Sequence, residues 1–364
     1  MKHWIPYLFV LLVASTPLDA AARRRSVRIP STPWRAPQCE QVTGVPSVGV
    51  SLDGGATVLP HAENADDLQV YTFGLAATQR PNQLIAATDR LILETIDAGC
   101  SWDLTGFQLP HTGYSFAPGP GGVWAWSRLG PELFRFGVSA TEQRTAPMLL
   151  PLSFYASPSY PNQLAIADDQ RAIWWSDDAG ATWEPIANAP GRQPFYAIEL
   201  APSVRQHMIA AGLADGAHVT FDGGRIWTRS AGLDGLNVFN IAFSPVAANV
   251  IWALGVDPRG TGITRRAIYR SADGGETFTR VLTASAEVDL TSAVDLVPSP
   301  QDLGVVYFAL PGTTLIALDQ SGSVRQRSTL PYRDINAIAF SPAGPEVMYF
   351  GLKLSDMTAG PRAE

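Results

Sequence analysis

The chain consists largely of short apolar runs separated by turn-forming residues. Residues 172–176 and 182–186 flank one Asp-Ala-Gly turn, and both runs are rich in aromatic and β-branched residues, which favours two strands joined in a hairpin. Residues 305–309 are apolar at nearly every position, as expected of a strand buried on both faces. No apolar period typical of a helix occurs beyond the N-terminus. The pattern therefore predicts an all-β protein built from many short antiparallel strands.

One turn motif recurs between these strands with the pattern Ser/Thr-x-Asp-x-Gly-x-Thr-Trp, and we refer to it as the Asp turn. Glycine supplies the positive φ of the turn, the Asp carboxylate can accept backbone N–H groups, and the final aromatic residue can cover the hairpin. Five copies are present, at residues 51–57, 95–102, 176–183, 220–227 and 271–278, with a degenerate sixth at 318–323. We therefore interpret their aspartates as structural: Asp53, Asp97, Asp178, Asp222 and Asp273.

The spacing of the Asp turns predicts the architecture. Asp53 and Asp97 lie 44 residues apart, as do Asp178 and Asp222, whereas Asp222 and Asp273 lie 51 apart. The 81 residues between Asp97 and Asp178 correspond to two periods, with a decayed copy near residues 132–138. A period of about 40–50 residues made of four short strands is typical of a β-propeller blade.

A second motif, apolar-x-x-Ser/Ala-Pro, runs in phase with the first and predicts the turn between the first two strands of each blade. Its copies carry Ser157-Pro158, Ala201-Pro202, Ser244-Pro245, Val297-Pro298 and Ser341-Pro342. The last strand pair, 338–352, has no Asp turn after it, and the first Asp turn has no such pair before it. We therefore predict seven four-stranded blades, with one blade formed from both ends of the chain. The predicted blades are 45–60 with 336–352, then 68–109, 112–150, 152–190, 194–231, 236–285 and 290–330.

The Asp turn resembles the Asp-box, or bacterial neuraminidase repeat, of a superfamily of β-propellers. In architecture the chain is most similar to non-catalytic seven-bladed propellers of the photosystem II assembly factor and sortilin types, which bind polypeptides, and more distantly to sialidases. The resemblance implies an exported binding or scaffold module for a protein or glycan ligand on its top face. That face carries the connections between blades and between the second and third strands.

The alternative function is a glycoside hydrolase of the sialidase (exo-alpha-sialidase-like) type. Sialidases carry an Arg-Ile-Pro motif ahead of their first Asp-box, and Arg28-Ile29-Pro30 occurs here, but it lies ahead of any predicted strand. Sialidases also have six blades and require three arginines around a carboxylate. The sequence thus favours a non-catalytic propeller and leaves open whether it is an enzyme, which would then be a glycosidase. No catalytic residue is assigned.

The candidate ligand-binding residues are charged side chains in the predicted top-face loops. The loop at residues 255–266 is the longest within a blade, and an insertion on a binding face is a common source of specificity. The predicted contact residues are Asp168, Asp169, Arg171, Asp257, Arg259, Arg265, Arg266 and Arg333.

The sequence at the N-terminus predicts that the protein is exported. Residues 1–22 have the short basic start, apolar stretch and small residues of a cleavable signal peptide, and the apolar stretch is too short to span a bilayer comfortably. We predict a flexible basic, Pro-rich lead-in at 23–38, the propeller at 39–352 and a C-terminal tail at 353–364. The protein is then secreted or periplasmic. In such a compartment Cys39 and Cys100 can form one disulfide, with two free thiols as the alternative.

The composition of the chain limits the kinds of partner and cofactor that we expect it to bind. The net charge of −7 argues against a nucleic-acid partner, which needs concentrated basic surface. The five histidines are scattered and show no metal-ligand spacing, so the sequence predicts no metal and no cofactor. We expect a monomer, without a membrane span, that binds a protein or glycan.

Overall fold

A computed structural model of the protein describes residues 33–44, 47–62, 71–137, 140–290, 295–310, 314–330 and 334–353. The predicted signal peptide (1–22), Arg333, most of the lead-in (23–38) and most of the C-terminal tail (353–364) lie outside the described residues.

The described strands form seven antiparallel sheets, which are the blades of a seven-bladed β-propeller. In blades 2 to 7 the strands follow chain order from the innermost to the outermost. Blade 2 contains β2 (Thr72–Ala77), β3 (Leu84–Thr88), β4 (Leu91–Thr95) and β5 (Asp103–Gln108). Blade 3 contains β6 (Ser115–Gly119), β7 (Gly122–Trp126), β8 (Glu132–Phe136) and β9 (Thr141–Thr145). Blade 4 contains β10 (Pro151–Ala156), β11 (Leu164–Asp168), β12 (Ile173–Ser176) and β13 (Glu184–Pro185).

The next three blades repeat this arrangement. Blade 5 contains β14 (Phe195–Leu200), β15 (Met208–Gly212), β16 (Gly216–Thr220) and β17 (Thr228–Arg229). Blade 6 contains β18 (Asn237–Ser244), β19 (Ala247–Val256), β20 (Arg266–Ser271) and β21 (Thr279–Thr283), with a short 3-10 helix (Ile263–Arg265) before β20. Blade 7 contains β22 (Val297–Pro298), β23 (Val305–Ala309), β24 (Thr314–Asp319) and β25 (Val324–Thr329).

Blade 1 closes the ring with strands from both ends of the chain, as the sequence predicts. Its strands are β26 (Asp334–Ser341), β27 (Gly344–Lys353) and β1 (Val48–Ser51). β27 pairs with β26 on one side and with β1 on the other, placing Tyr349 opposite both Ala339 and Val50. The backbone N–H of Leu59 donates a 2.8 Å hydrogen bond to the carbonyl of Val50, so the segment after the first Asp turn runs along the outer side of β1.

Seven clusters of buried apolar residues lie between neighbouring blades in the described part of the chain. Each cluster combines second-strand residues of one blade with residues of the next, as Trp252 does with Phe308. Because every blade packs against two neighbours, its second strand is buried on both faces, and all five residues of β15 are buried. The second strands are therefore apolar because the closed ring buries both of their faces.

The five Asp turns share one hydrogen-bond pattern. In each, the carboxylate of the Asp accepts the backbone N–H of the residue four positions later, at distances of 2.8–3.0 Å. The Ser or Thr two positions earlier donates to the same carboxylate and accepts the backbone N–H of the second turn residue after the Asp. At Asp178 the hydrogen bonds from Thr182 and Ser176 lower the pKa to about 2. These aspartates organise turns.

The turn between the first two strands of blade 7 differs from the prediction. The sequence motif placed it at Val297-Pro298, but these two residues form β22, and the turn begins at Ser299, whose N–H donates to the carbonyl of Val305. Pro298 is tolerated in β22 because an innermost strand has one unpaired edge, which faces the ring axis. Two prolines two residues apart, Pro298 and Pro300, made the sequence ambiguous.

Antiparallel blades of this order have two faces. The Asp turns and the turns between first and second strands lie on one face, which we call the bottom face, and the remaining connections lie on the top face.

The segment before blade 1 is attached to blade 2: Cys39 and Cys100 form a disulfide, and the N–H of Arg35 donates to the side chain of Asn82. Trp34 packs against the cluster between blades 1 and 2, so the end of the predicted lead-in is held in place.

Candidate functional site

The innermost strands of all seven blades surround a cavity of about 900 Å³ along the ring axis, which we call the channel. Its walls are largely apolar, because the first strands alternate between residues that pack into the interblade clusters and residues that face the axis. Among the described lining residues, three are ionisable acids or bases with a carboxyl or guanidinium group: Arg128, Glu199 and Asp295. These three residues come from blades 3, 5 and 7, so the ring brings together groups that are far apart in sequence.

Glu199 lies in β14 and is only partly exposed. Its Oε2 accepts a 2.7 Å hydrogen bond from the backbone N–H of Phe243 on blade 6. Burial and the negative charge of Asp295 together raise the pKa of Glu199 to about 8, against the opposing effect of the hydrogen bond from Phe243. A carboxyl group with this pKa holds its proton at neutral pH.

Asp295 lies just before β22 and is exposed to the water of the channel, although protein surrounds it. Its Oδ1 accepts a 2.8 Å hydrogen bond from the side-chain amide of Asn240, whose own oxygen accepts the N–H of Leu296. The surrounding protein raises the pKa of Asp295, whereas the guanidinium of Arg128 and the bond from Asn240 lower it. Arg128 thus lies close enough to act on Asp295 across the channel.

Aromatic residues form part of the wall beside these charges. Tyr196 and Phe239, on the first strands of blades 5 and 6, contact each other edge to face with their centroids 5.8 Å apart. Tyr155 on β10 also lines the channel, and burial together with the charge of Glu199 raises the pKa of its hydroxyl well above the usual value. The wall therefore offers ring faces, carboxylates and one guanidinium to a ligand.

The predicted contact residues of blade 4 lie in the connection between β11 and β12. Asp168 is buried, and its Oδ1 accepts the backbone N–H groups of Gln170 and Ala172, both at 2.8 Å. Asp169 is exposed, and Arg171 is exposed with a φ of 71°. The carboxylate of Asp168 is thus used to shape its own turn, whereas Asp169 and Arg171 lie at the surface.

The predicted contact residues of blade 6 lie in the connection between β19 and β20. Asp257 accepts the N–H of Arg259 at 2.8 Å, and its own N–H donates to the carbonyl of Arg265, which closes the loop on itself. Arg259 is exposed, whereas Arg265 and Arg266 are half-buried. Of the channel-lining residues that the structure describes, none is among the predicted contacts, so a role for these residues in binding stays a prediction.

Sequence reasoning missed the charged residues of the channel. A signal was present in the sequence: Glu199 and Asp295 each interrupt an apolar run at the start of a blade, in Ile198-Glu199-Leu200 and in Val294-Asp295-Leu296. An ionisable residue in such a strand either faces the axis or would be buried without a partner in an interblade cluster. The predicted contact residues lie instead in the loops, where charged residues are common.

A second cleft, of about 430 Å³, lies between blades 4 and 5 on the bottom face. It is bordered by Trp175, Ile186 and the Asp turn of blade 5, and by the exposed ion pair of Arg205 with Asp177 at 2.7 Å.

Within the described ranges, no three or more His, Cys, Asp or Glu side chains come together in a way that could hold a metal ion. None of the described helical segments has the length and apolar character needed to cross a bilayer.

Comparison with known proteins gives one relative over nearly the whole chain. The sequence is 33% identical over 338 residues to the dispase autolysis-inducing protein of Streptomyces mobaraensis, in an alignment that covers 88% of this chain and 90% of that protein. No protein-family model matches the sequence.

Solved structures share the fold. YCF48 from Cyanidioschyzon merolae matches with a TM-score of 0.55 and 18% identity, over 79% of this chain and 96% of that one. An ancestral GH74 enzyme matches with a TM-score of 0.55 and 15% identity, over 84% of this chain and 45% of that one. At these identities the likeness establishes the propeller fold alone.

Proposed function

The chain belongs to the family of the dispase autolysis-inducing protein, and from this premise we propose that it is a non-catalytic propeller that binds a protease and promotes the protease's self-cleavage. The single observation that carries the proposal is the 33% identity over 338 residues, in an alignment that covers 88% of this chain and 90% of that protein. We further assign the five Asp turns to the Asp-box repeat, supported by their shared hydrogen-bond pattern. The sequence of residues 1–22 supports export, so the partner would be met outside the cytoplasm.

Binding can promote self-cleavage without any chemistry by the propeller. A protein that binds a partly opened form of a protease more tightly than the closed form shifts the population toward the opened form. At a concentration of about 100 times its Kd for the opened form, and without binding to the closed form, the shift amounts to about 2.7 kcal/mol. Opened protease molecules expose cleavable backbone to other copies of the enzyme, and autolysis follows.

The top face beside the channel is the binding surface that the geometry favours. Leu129 lines the channel and is exposed, and Leu149 and Leu150 are exposed in the connection between blades 3 and 4, with Leu149 at 77%. The N–H of Ala146 donates to the carbonyl of Pro131, which joins this connection to the loop of Leu129. Neighbouring exposed leucines are typical of protein-binding surfaces.

The test is to incubate dispase with the protein and follow the protease by residual activity and by gel electrophoresis. We expect intact dispase to disappear several times faster than with heat-denatured protein. Dispase blocked at its active site should bind but stay intact, which separates binding from cleavage. If dispase disappears at the same rate with and without the native protein, the proposal is wrong.

Two variants, one on the top face and one on the bottom face, test which face binds the protease. The double variant Leu149→Ser with Leu150→Ser should weaken binding at least tenfold. Ile226→Ser removes an equally exposed side chain (70%) from an Asp turn on the bottom face and should leave binding unchanged. The reverse result would place the binding surface on the bottom face.

One observation favours glycoside hydrolysis as a second candidate. Glu199 holds a proton at neutral pH and lies close enough to Asp295 for the charge of Asp295 to raise its pKa, and a pair of carboxyl groups in one site is the usual acid and base of glycosidases. Against the sialidase type, Arg128 is the one arginine among the described lining residues, where that chemistry requires three. A panel of fluorogenic glycosides decides the question: turnover that is abolished in Glu199→Gln would replace the non-catalytic proposal.

A further inference from the structure

The charges that line the described part of the channel do not balance when both carboxylates are ionised. Glu199 and Asp295 then contribute two negative charges, and Arg128 contributes one positive charge. The excess negative charge lies in a space walled by protein, where screening by water and salt is weaker than at the surface. A ligand with a single positive charge would neutralise it.

The hydrogen bonds around the two carboxylates orient them and leave each with further acceptor capacity. The bond from Phe243 uses Oε2 of Glu199, and the bond from Asn240 uses Oδ1 of Asp295. A carboxylate has two oxygens and about four acceptor positions. Both groups can therefore accept additional hydrogen bonds from an ammonium or guanidinium without giving up the bonds that hold them.

The aromatic wall suits an organic cation. Phe239 is 41% exposed toward the channel and is packed edge to face against Tyr196. Ring faces attract cations and also cover the methylene stem of a lysine or arginine side chain. A metal ion is a poorer fit, because hard cations take six or more oxygen ligands and no suitable cluster occurs among the described residues.

We propose that the channel receives a lysine or arginine side chain that projects from the partner protein, with its charge between Glu199 and Asp295 and its stem against Tyr196 and Phe239. The inference rests on the proposed function for the identity of the partner. The apolar residues beside the channel, including Leu129, would contact the flanking part of the partner's chain. Arg128 competes with the incoming cation for Asp295 and so limits its affinity.

The probe is a short acetylated and amidated peptide with one central lysine, and its control carries norleucine at that position. Isothermal titration at low salt and at about pH 9, where Glu199 is ionised and lysine is still charged, should show at least tenfold tighter binding of the lysine peptide. Glu199→Gln and Asp295→Asn should each weaken that binding about tenfold or more. Arg128→Gln should strengthen it, because it removes the competing charge. Glu184→Gln changes the net charge equally at the exposed outer strand of blade 4 and should have no effect.

Several results would overturn the proposal. It is wrong if both peptides bind equally, if neither binds, or if Glu184→Gln weakens binding as much as Glu199→Gln does. Thermal melts of each variant show whether it is folded, and Arg128→Gln gives a gain of binding that misfolding cannot produce.

The dispase autolysis assay distinguishes a failure of the channel proposal from a failure of the proposed function. If the wild-type protein accelerates dispase autolysis and Glu199→Gln does so equally well, the channel proposal is wrong and the proposed function stands. If the wild-type protein has no effect on dispase, the proposed function is wrong, and the peptides alone decide what the channel binds.

Discussion

The carboxylate of Glu199 accepts the backbone N–H of Phe243 at 2.7 Å, and this bond joins the innermost strands of blades 5 and 6. The hydroxyl of Ser153 accepts the N–H of Ile198 in the same way between blades 4 and 5, at 2.9 Å. An innermost strand has an unpaired edge, and such bonds satisfy backbone donors that a sheet partner does not reach. Glu199 therefore contributes both to blade packing and to the charge of the channel.

The first prediction concerns the dependence of stability on pH. Burial and the charge of Asp295 raise the pKa of Glu199 from 4.5 to about 8. Between these values the folded protein holds a proton that the unfolded chain has lost, so this group's contribution to the free energy of unfolding falls as pH rises, by at most about 1.4 kcal/mol per pH unit. Glu199→Gln keeps an acceptor oxygen and has no such proton.

Urea unfolding of both proteins at several pH values measures the effect. Glu199→Gln should gain stability relative to the wild type as pH rises from about 5 to about 8, with no further gain above. All other groups are common to the two proteins, so their difference isolates Glu199. Parallel pH profiles would show that its pKa is not raised.

The same proton affects binding in the channel. A cation between Glu199 and Asp295 favours the ionised form of Glu199, so the proton and the cation compete. The affinity for the lysine peptide should therefore rise between about pH 7 and about pH 9, because wild-type Glu199, with a pKa of about 8, loses most of its proton over that range. Titrations of the wild type at both pH values test this, and a Glu199→Gln protein should show a smaller rise.

A further prediction concerns the Asp turns. The hydroxyl of Ser176 is buried, donates to Asp178 at 2.9 Å and accepts the N–H of Gly180 at 2.8 Å. Ser176→Ala leaves that buried N–H without its acceptor and should lower the free energy of unfolding by about 1–3 kcal/mol. Thr182→Val removes an exposed hydroxyl of the same turn and should cost less. Equal losses in urea unfolding would contradict the role assigned to Ser176.

The disulfide is predicted to stabilise the segment that precedes blade 1. Cys39 and Cys100 are separated by 61 residues, and their bond joins that segment to the Asp turn of blade 2. Replacing both with alanine should lower the free energy of unfolding by about 2–4 kcal/mol. A thiol reductant should lower the Tm of the wild type to a similar extent and leave the double variant unchanged. A reductant effect on the double variant would mean that the loss has another cause.

Ring closure by β27 is predicted to be required for cooperative unfolding. Deleting residues 344–364 removes the strand that pairs with both β1 and β26 and exposes the apolar clusters on either side of blade 1. Calorimetry should then show a broadened transition at a lower temperature. Deleting only 354–364, which follow the last described strand, is the control and should preserve a sharp transition. A sharp, unshifted transition in the longer deletion would refute the closing role of β27.

Much of the fold was predictable because its determinants are local and repeated. Each Asp turn forms its hydrogen bonds within four residues, so Asp97 and its neighbours specify a turn wherever they occur. The period between turns indicated the number of blades, and the unmatched half-blades at the two ends indicated how the ring closes. The turn predicted at Pro298 was wrong because Pro300 fits the same sequence motif.

The sequence alone thus determined the strands, the turns, the seven blades and the pairing of the two ends, since each depends on contacts between near neighbours or on counting repeats. Only the tertiary structure decided what faces the axis. Arg128 lies in the connection between the second and third strands of blade 3, and Glu199 and Asp295 lie in or beside the first strands of blades 5 and 7. They come together because ring closure places these blades around one channel, and the raised pKa values of the two carboxyl groups follow from that shared, protein-walled space. No local pattern encodes which side chains meet across a closed ring.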